Sequence, residues 1–517
     1  MAEISSTQKK WALAATIIGS GMAFINGSVV NVALPAIQSS LNSSVADMQW
    51  VVSIYTFILG TLILTGGSAG DYYGRKRVFG LGVFLFLIFT IWCGLAPDVQ
   101  QLIIARGGQA VGGALMIPGS LAIITDLYEE EQRGKAIGTW SGFTALASAA
   151  GPLLGGILVD QFSWRFIFLI SVPMAVIALI ILYWRVPESN PSTTSGRPDW
   201  MGALLATLGL GLICYGMIEA SELGMYNPVV LSVTLSGALV LVGFVYLEKK
   251  IEDPMMPPGL FRSRNFSGAN LVTMSFYFSL AGVFFLLPFN FIQIQGYSAT
   301  ATGAAFIPFP LLVGGLSRWS GGMIVRFGAR PLLVAGPIIT GFGFILLGIY
   351  GMGSSYWINF FPGIFFMGLG VALSFAPLNT TVMSSVDRSD AGTASGINKA
   401  VSRLSGMLSV ALLGALAIAL FGQQLANQMD QDDVPEQVQQ HMLSETMNLA
   451  KAEVPQDIPA ATQKVLEDNI KQSFLSSFRI VMFVSAGLVF LGSVCAGLMI
   501  DFHPKSSEEL EKEKMPE

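Results

Sequence analysis

Residues 48–77 read MQWVVSIYTFILGTLILTGGSAGDYYGRKR, and this stretch decides the fold. From Met48 to Ala69 the run is apolar almost throughout, and about 20 such residues are what an α-helix needs to cross a bilayer's hydrocarbon core. The run then ends abruptly. Asp71 places an anion at the helix end, Gly74 permits a tight turn, and Arg75, Lys76 and Arg77 follow directly. An anion there can pair with a basic group or with the positive N-terminus of another helix. The basic triplet holds the turn on one side of a membrane.

Working outward, the same pattern recurs along the chain. Apolar runs of spanning length fall at roughly 11–37, 48–69, 78–96, 102–125, 136–158, 165–184, 201–219, 228–247, 268–292, 299–324, 331–350, 357–380, 394–421 and 478–500. Composition agrees: 52% of the 517 residues are hydrophobic and 12% charged, with a mean hydropathy of +0.62. A soluble domain carries about 25% charged residues. The expected fold is therefore an all-α membrane protein of fourteen transmembrane helices. The runs are continuous rather than alternating, which excludes a β-barrel. Lys9 and Lys10 before the first run imitate a signal peptide, but the run is too long and lacks a small-residue cleavage site, so it reads as a retained helix.

Charge sets the orientation. Lys9, Lys10, Arg75–Arg77, Arg133, Lys135, Arg185, Arg197, Lys249, Lys250, Arg262, Arg264, Arg326, Arg330, Arg388 and the lysines after 500 all gather on one side. The short connections of the other side hold only Arg165. Basic loops stay cytoplasmic, so both termini are expected inside and residues 422–477 outside, in the inner membrane of a cell. Residues 422–477 carry apolar positions spaced as in short amphipathic helices, and read either as a solvated cap or as a tolerated insertion. Cys93, Cys214 and Cys495 lie apart in apolar runs, and the two histidines lie outside every run. Neither metal, cofactor nor disulfide is expected, and the net charge of -5, with no basic cluster, points away from nucleic acid.

Five local patterns carry a resemblance. The loop Gly67-Ser-Ala-Gly-Asp71-Tyr-Tyr-Gly74-Arg75-Lys76 resembles the signature loop of the major facilitator superfamily, with Tyr72 where the family usually has Arg. Residues 322–330, GMIVRFGAR, repeat it weakly, with Val325 in place of the acid, as expected of two related six-helix halves. Gly151-Pro152-Leu-Leu-Gly155-Gly156 looks like the family's antiporter mark; close packing of small residues and a proline bend would also account for it. Arg106 and Gln109 on helix four match residues that face the family's central cavity, although snorkelling of Arg106 to the near interface is an alternative. The segment Asn26–Pro35 is similar to the first-helix signature of the fourteen-helix drug:proton antiporters, with Asn26 where that family carries Asp. The resemblance implies an N-terminal half at 1–184, a linker with two inserted helices at 185–264, and a C-terminal half at 265–517.

These patterns imply a secondary transporter, not an enzyme: no His, Cys and carboxylate cluster has nucleophile or metal spacing. The first reading is export of small amphiphilic, drug-like compounds. The alternatives are a carrier of lipids or anionic solutes not coupled to protons through helix one, and a membrane sensor that retains the scaffold. The expected substrate cavity is neutral-polar and aromatic: Asn26, Asn31, Tyr55, Arg106, Gln109, Met116, Asn270, Tyr277, Asn290, Gln293, Phe375 and Asn379. A monomer among membrane lipids is the simplest assembly. No carboxylate lies mid-helix, so protons as a coupling partner would need Glu219 or Glu222 near a helix end. Without an acid at Asn26, Arg106 is expected to stand unneutralised and to favour anionic substrates.

Overall fold

The computed structural model describes residues 6–128, 130–187, 199–224, 226–251, 254, 256–350, 355–386, 391–432, 434–455 and 458–501. Fourteen of its helices are long and apolar enough to cross a membrane. The N-terminal half holds α1 (Ser6–Leu41), α2 (Val45–Tyr73), α3 (Arg75–Leu95), α4 (Val99–Leu127) and α5 (Glu130–Gln161). Its sixth span is broken into α6 (Phe166–Leu169) and α7 (Ser171–Arg185). A hairpin of α8 (Trp200–Leu223) and α9 (Pro228–Glu248) follows. The C-terminal half holds α10 (Arg264–Phe289), α11 (Ala299–Ala305), α12 (Pro308–Phe327), α13 (Ala329–Tyr350), α14 (Tyr356–Asn359), α15 (Phe361–Ser384), α16 (Ala391–Gln431), α17 (Glu436–Ser444) and α18 (Ala460–Met499).

Polar residues at the ends of the apolar runs start the helices. Ser44 and Asp47 form a reciprocal capping box on α2, each side chain meeting the other's backbone N–H at 3.1 and 2.8 Å. Asp98, Asp199, Asn227, Ser263 and Ser298 cap α4, α8, α9, α10 and α11 respectively, each by accepting one first-turn N–H. Gly74, at φ 104°, is the single non-helical residue between α2 and α3. Only glycine enters that region of backbone space without strain.

The side carrying the basic connections is here termed the basic face, and the other the opposite face. The tenth span, expected to be continuous, breaks after Ala305. Pro308 and Pro310 have no N–H to continue the ladder, so the chain restarts as α12. The last two long helices also overrun their expected limits. α16 has 41 residues and α18 has 40, each about 60 Å long at 1.5 Å per residue, twice the hydrocarbon thickness of about 30 Å. Much of 422–477 is thus helical stalk. Asn469 donates to Asp432 at 2.9 Å and Ser473 to Gln428 at 3.1 Å, zipping the stalks together. Between them, α17 and a 3-10 turn at Thr446–Lys451 fold back as a cap, with Met442 and Leu449 fully buried. The turn touches α2 of one half and the π-turn Asn290–Ile294 of the other.

The halves meet along two seams, α2 on α16 and α5 on α11. α8 covers the first seam, where Phe57, Cys214, Ile218, Met407 and Ala411 form one apolar cluster. α9 packs on α8, crossing where Gly209 and Gly237 bring the two backbones together.

Candidate functional site

The N-terminal half is built around a continuous polar chain at its centre. Arg106, 2% exposed, donates Nε–H to the Val51 carbonyl at 3.2 Å and an Nη1–H to Gln109 Oε1 at 2.8 Å. Gln109 Nε2 donates in turn to Thr90 Oγ1 at 2.7 Å and Asn26 Oδ1 at 3.3 Å. Asn26 Nδ2 donates to Ser171 Oγ at 2.7 Å and the Met22 carbonyl at 3.0 Å. One chain of bonds therefore ties α1, α2, α3, α4 and α7. Tyr55 lies under the guanidinium, its ring centroid 4.1 Å from Cζ, and its hydroxyl donates to the Ala23 carbonyl at 3.3 Å. No carboxylate joins this chain among the described residues.

That arrangement corrects one expectation. Gln109 bridges Arg106 and Asn26, and Arg106 does not stand open as an anion site. A carbonyl, an amide oxygen and a ring face take up its charge, which is how a buried cation is tolerated without a counter-ion. Met116 and Asn290 are likewise fully buried instead of lining a wall, Met116 in the core beside Gly19 and Phe79. Asn270 is buried too, accepting from Asn398 Nδ2 at 3.1 Å. Asn31 and Gln293 are half-buried. Gln293 Nε2 donates to Gln38 Oε1 at 3.1 Å across the halves on the opposite face.

Tyr277 (36%) and Phe375 (43%) are the large cavity candidates left exposed, together with Asn379, whose amide donates to the Phe375 carbonyl. Tyr277 of α10 and Tyr55 of α2 both lie within electrostatic reach of Arg403 on α16. Arg403 itself packs against Gly60 of α2. Arg403 was not among the expected cavity residues; a second cation in an apolar run, four residues or about one helical turn after Lys399, was the available signal.

Glycines mark close packing within and between the halves. On the opposite face Gly151 and Gly155 press on Ser28 and Val29 of α1. Gly156 meets the Ala299 carbonyl of α11, and Gly303 of α11 meets the Pro152 carbonyl. Asp160 adds a charged clasp: its carboxylate accepts the Ala299 and Thr300 N–H groups at 3.1 and 2.7 Å, capping α11 from the other half. Within the Gly151–Gly156 motif, Gly151 and Gly155 thus pack inside the N-terminal half, and Gly156 packs at the seam between halves. Added Cβ atoms at Gly142 of α5 and at Gly314, Gly315 and Gly322 of α12, nearer the basic face, would meet nothing within 4 Å. The close contacts of α5 with α11 thus lie at the opposite face.

The contacts described for the loop of residues 67–76 lie within its own half. Gly67 packs on Pro118, Arg75 pairs with Asp126 at 3.4 Å and donates to the Ala122 carbonyl, and Lys76 donates to the Val186 carbonyl at 2.7 Å. The side chain of Asp71 lies outside the described residues, as does that of Glu222.

The family model "Major Facilitator Superfamily" matches residues 16–410. The chain belongs to the Major Facilitator Superfamily. The multidrug resistance protein Stp of Mycobacterium tuberculosis is 34% identical over 84% of this chain and 80% of its own length. The puromycin resistance protein of Streptomyces alboniger is 32% identical over 81% and 83%, and the tetracenomycin C resistance and export protein of Streptomyces glaucescens 27% over 98% and 93%. Among solved structures, a bacterial homologue of the human lysosomal transporter Spinster, in an inward-facing and unoccupied conformation, superimposes with a TM-score of 0.65. It is 17% identical and covers 95% of this chain and 98% of that one. As a member of this superfamily the protein is a multi-pass membrane transporter.

Proposed function

We propose that this transporter exports small amphiphilic organic compounds by alternating access, with its basic face in the cytoplasm and both termini inside. The observation that carries the reading is the asymmetry of the two faces. Gly156, Gly303 and the Asp160 clasp join α5 to α11 at the opposite face, while glycines of α5 and α12 nearer the basic face have no protein atom within 4 Å of an added Cβ. A cytoplasmic compound would enter between α5 and α12 and meet Tyr277, Phe375 and Asn379, a surface of aromatic rings and a neutral amide that suits amphiphiles of varied structure. The resistance and export relatives support the direction and the class of cargo.

Proton coupling, in this reading, does not run through helix one. Asn26 has no charge to lose, and the bonds around it are filled by Ser171, Gln109 and the Met22 carbonyl. Everted membrane vesicles containing the protein test the function directly. A lipophilic fluorescent cation, a neutral amphiphile and an anionic amphiphile are offered with and without an ionophore that collapses the pH gradient. The account expects energised uptake of at least the cation or the neutral probe, inhibited by Phe375→Ala. It also expects an ionophore response of the same fractional size in wild type and Asn26→Ser. Uptake no greater than that of vesicles lacking the protein, for all three probes, would contradict it.

A further inference from the structure

The inserted hairpin carries a second polar cluster, at its base on the basic face and remote from the Arg106 chain. Asp199 caps α8, its Oδ1 accepting from Gly202 N–H at 2.7 Å. Glu248, the last residue of α9, is 1% exposed, and its Oε2 accepts from Met256 N–H at 2.7 Å. The other oxygen of each carboxyl group, Asp199 Oδ2 and Glu248 Oε1, is buried and has no donor. These two oxygens converge: a Cβ added to Gly202 would collide with both, lying 2.6 Å from Glu248 Oε1.

Two ionised carboxylates set against each other away from water repel strongly, and an unpaired buried carboxylate costs several kcal/mol. Among the described residues, which do not include Arg197, the surroundings supply no compensating cation. Lys249 and Lys250 follow in the chain but are exposed, with Lys250 Nζ over the Tyr246 ring at 4.4 Å. Of the basic residues entering α10, Arg262 is exposed and Arg264 donates to the Leu498 carbonyl. α2 and α16 present Phe57, Met407 and Ala411 to α8. Residues 252 and 253, both acidic, are not among those described. A hard metal cation asks for six or more oxygens. Two are on offer, and no group of three or more metal-ligating side chains occurs among the described residues. A single proton meets the need, because the hydroxyl of one carboxyl group donates to the bare oxygen of the other.

We propose that Asp199 and Glu248 jointly bind one proton, and that this proton fastens together the two connections between the halves. Asp199 ends the connection from the N-terminal half, and Glu248 with Met256 begins the one to the C-terminal half. Loss of the proton sets the two carboxylates against each other, turns Glu248 outward and deprives Met256 N–H of its acceptor. The base of the hairpin is then a pH-sensitive clasp beside the seam of α2 and α16.

Infrared difference spectroscopy of the full chain in nanodiscs, titrated from acid to alkaline, tests this. The expected result is one protonated-carboxyl C=O band that disappears on raising the pH and is missing from both Glu248→Gln and Asp199→Asn. Hydrogen exchange of the Met256 amide gives a second readout. Glu248→Gln supplies a permanent donor to Asp199, so the ratio of wild-type to Glu248→Gln exchange should climb with pH. Absence of the band from wild type, its survival in both variants, or a flat exchange ratio would overturn the proposal. So would calcium removing the band at fixed pH while protecting Met256, which would make the pair a cation site.

Discussion

Gln109 sits at the centre of the polar chain, since its amide group accepts from Arg106 and donates to Thr90 and Asn26. Gln109→Leu would strand a buried guanidinium bond and two acceptors. Breaking a buried charged interaction from one side costs about 3 kcal/mol or more. Thermal melting of the purified protein should show that loss, and Gln109→Glu should recover most of it because a carboxylate accepts from Arg106 at least as well. A Leu variant as stable as wild type would mean that the chain of bonds contributes little. Arg106, Gln109 and Asn26 could be singled out in the sequence because an Arg, a Gln and an Asn inside apolar runs stand out on cost alone. Thr90 and Ser171 could not. A hydroxyl in a helix bonds its own preceding turn at no penalty, as Thr61 does to the Phe57 carbonyl, so nothing local marks the ones that bond across helices.

At the scale of elements, the seam of α5 and α11 depends on backbones that approach within the reach of a methyl group. Gly156→Val and Gly303→Val should push α5 and α11 apart on the opposite face, whereas Gly142→Val and Gly315→Val add the same volume where Cβ atoms meet open space. The first pair should lower the melting temperature and abolish transport of a fluorescent probe; the second pair should leave the melting temperature unchanged. Equal effects in both pairs would remove the distinction between close contacts at the opposite face and open space nearer the basic face. The Gly151–Gly156 motif was visible in the sequence as a close-packing surface, but its partner was not. Gly303 belongs to no motif, and the pairing of two helices 150 residues apart depends on how whole halves dock. The overrun of α16 and α18 was hidden for a different reason. Hydropathy falls where a helix leaves lipid, yet the helix continues, stabilised by Asp432–Asn469 and Gln428–Ser473.

For the whole molecule, the number of spans and the gathering of basic residues on one side were legible because lipid imposes both on every segment separately. Which face is held closed was not, since a chain that alternates between states encodes each of them. Orientation is checked by introducing cysteines singly, Ser192→Cys on the basic side and Gln440→Cys in the cap, and treating intact cells with an impermeant thiol reagent. The cap cysteine should label and the other should not; the reverse would invert the assignment of the faces. The cap also bridges the closed end, touching α2 and the Asn290–Ile294 turn, so removing it should loosen that closure without unfolding the bundle.

Closure at the opposite face, and its opening during transport, is the central claim. It is tested by joining α5 to α11 where Asp160 clasps Thr300. In an Asp160→Cys/Thr300→Cys protein, oxidation or a short bifunctional thiol reagent should link the two positions in most molecules, because the resting structure already holds them together. The linked transporter should move no fluorescent probe, and reducing the disulfide should restore transport to the level of the unlinked variant. Efficient linkage with transport unchanged, or no linkage while the variant folds and transports, would contradict the account.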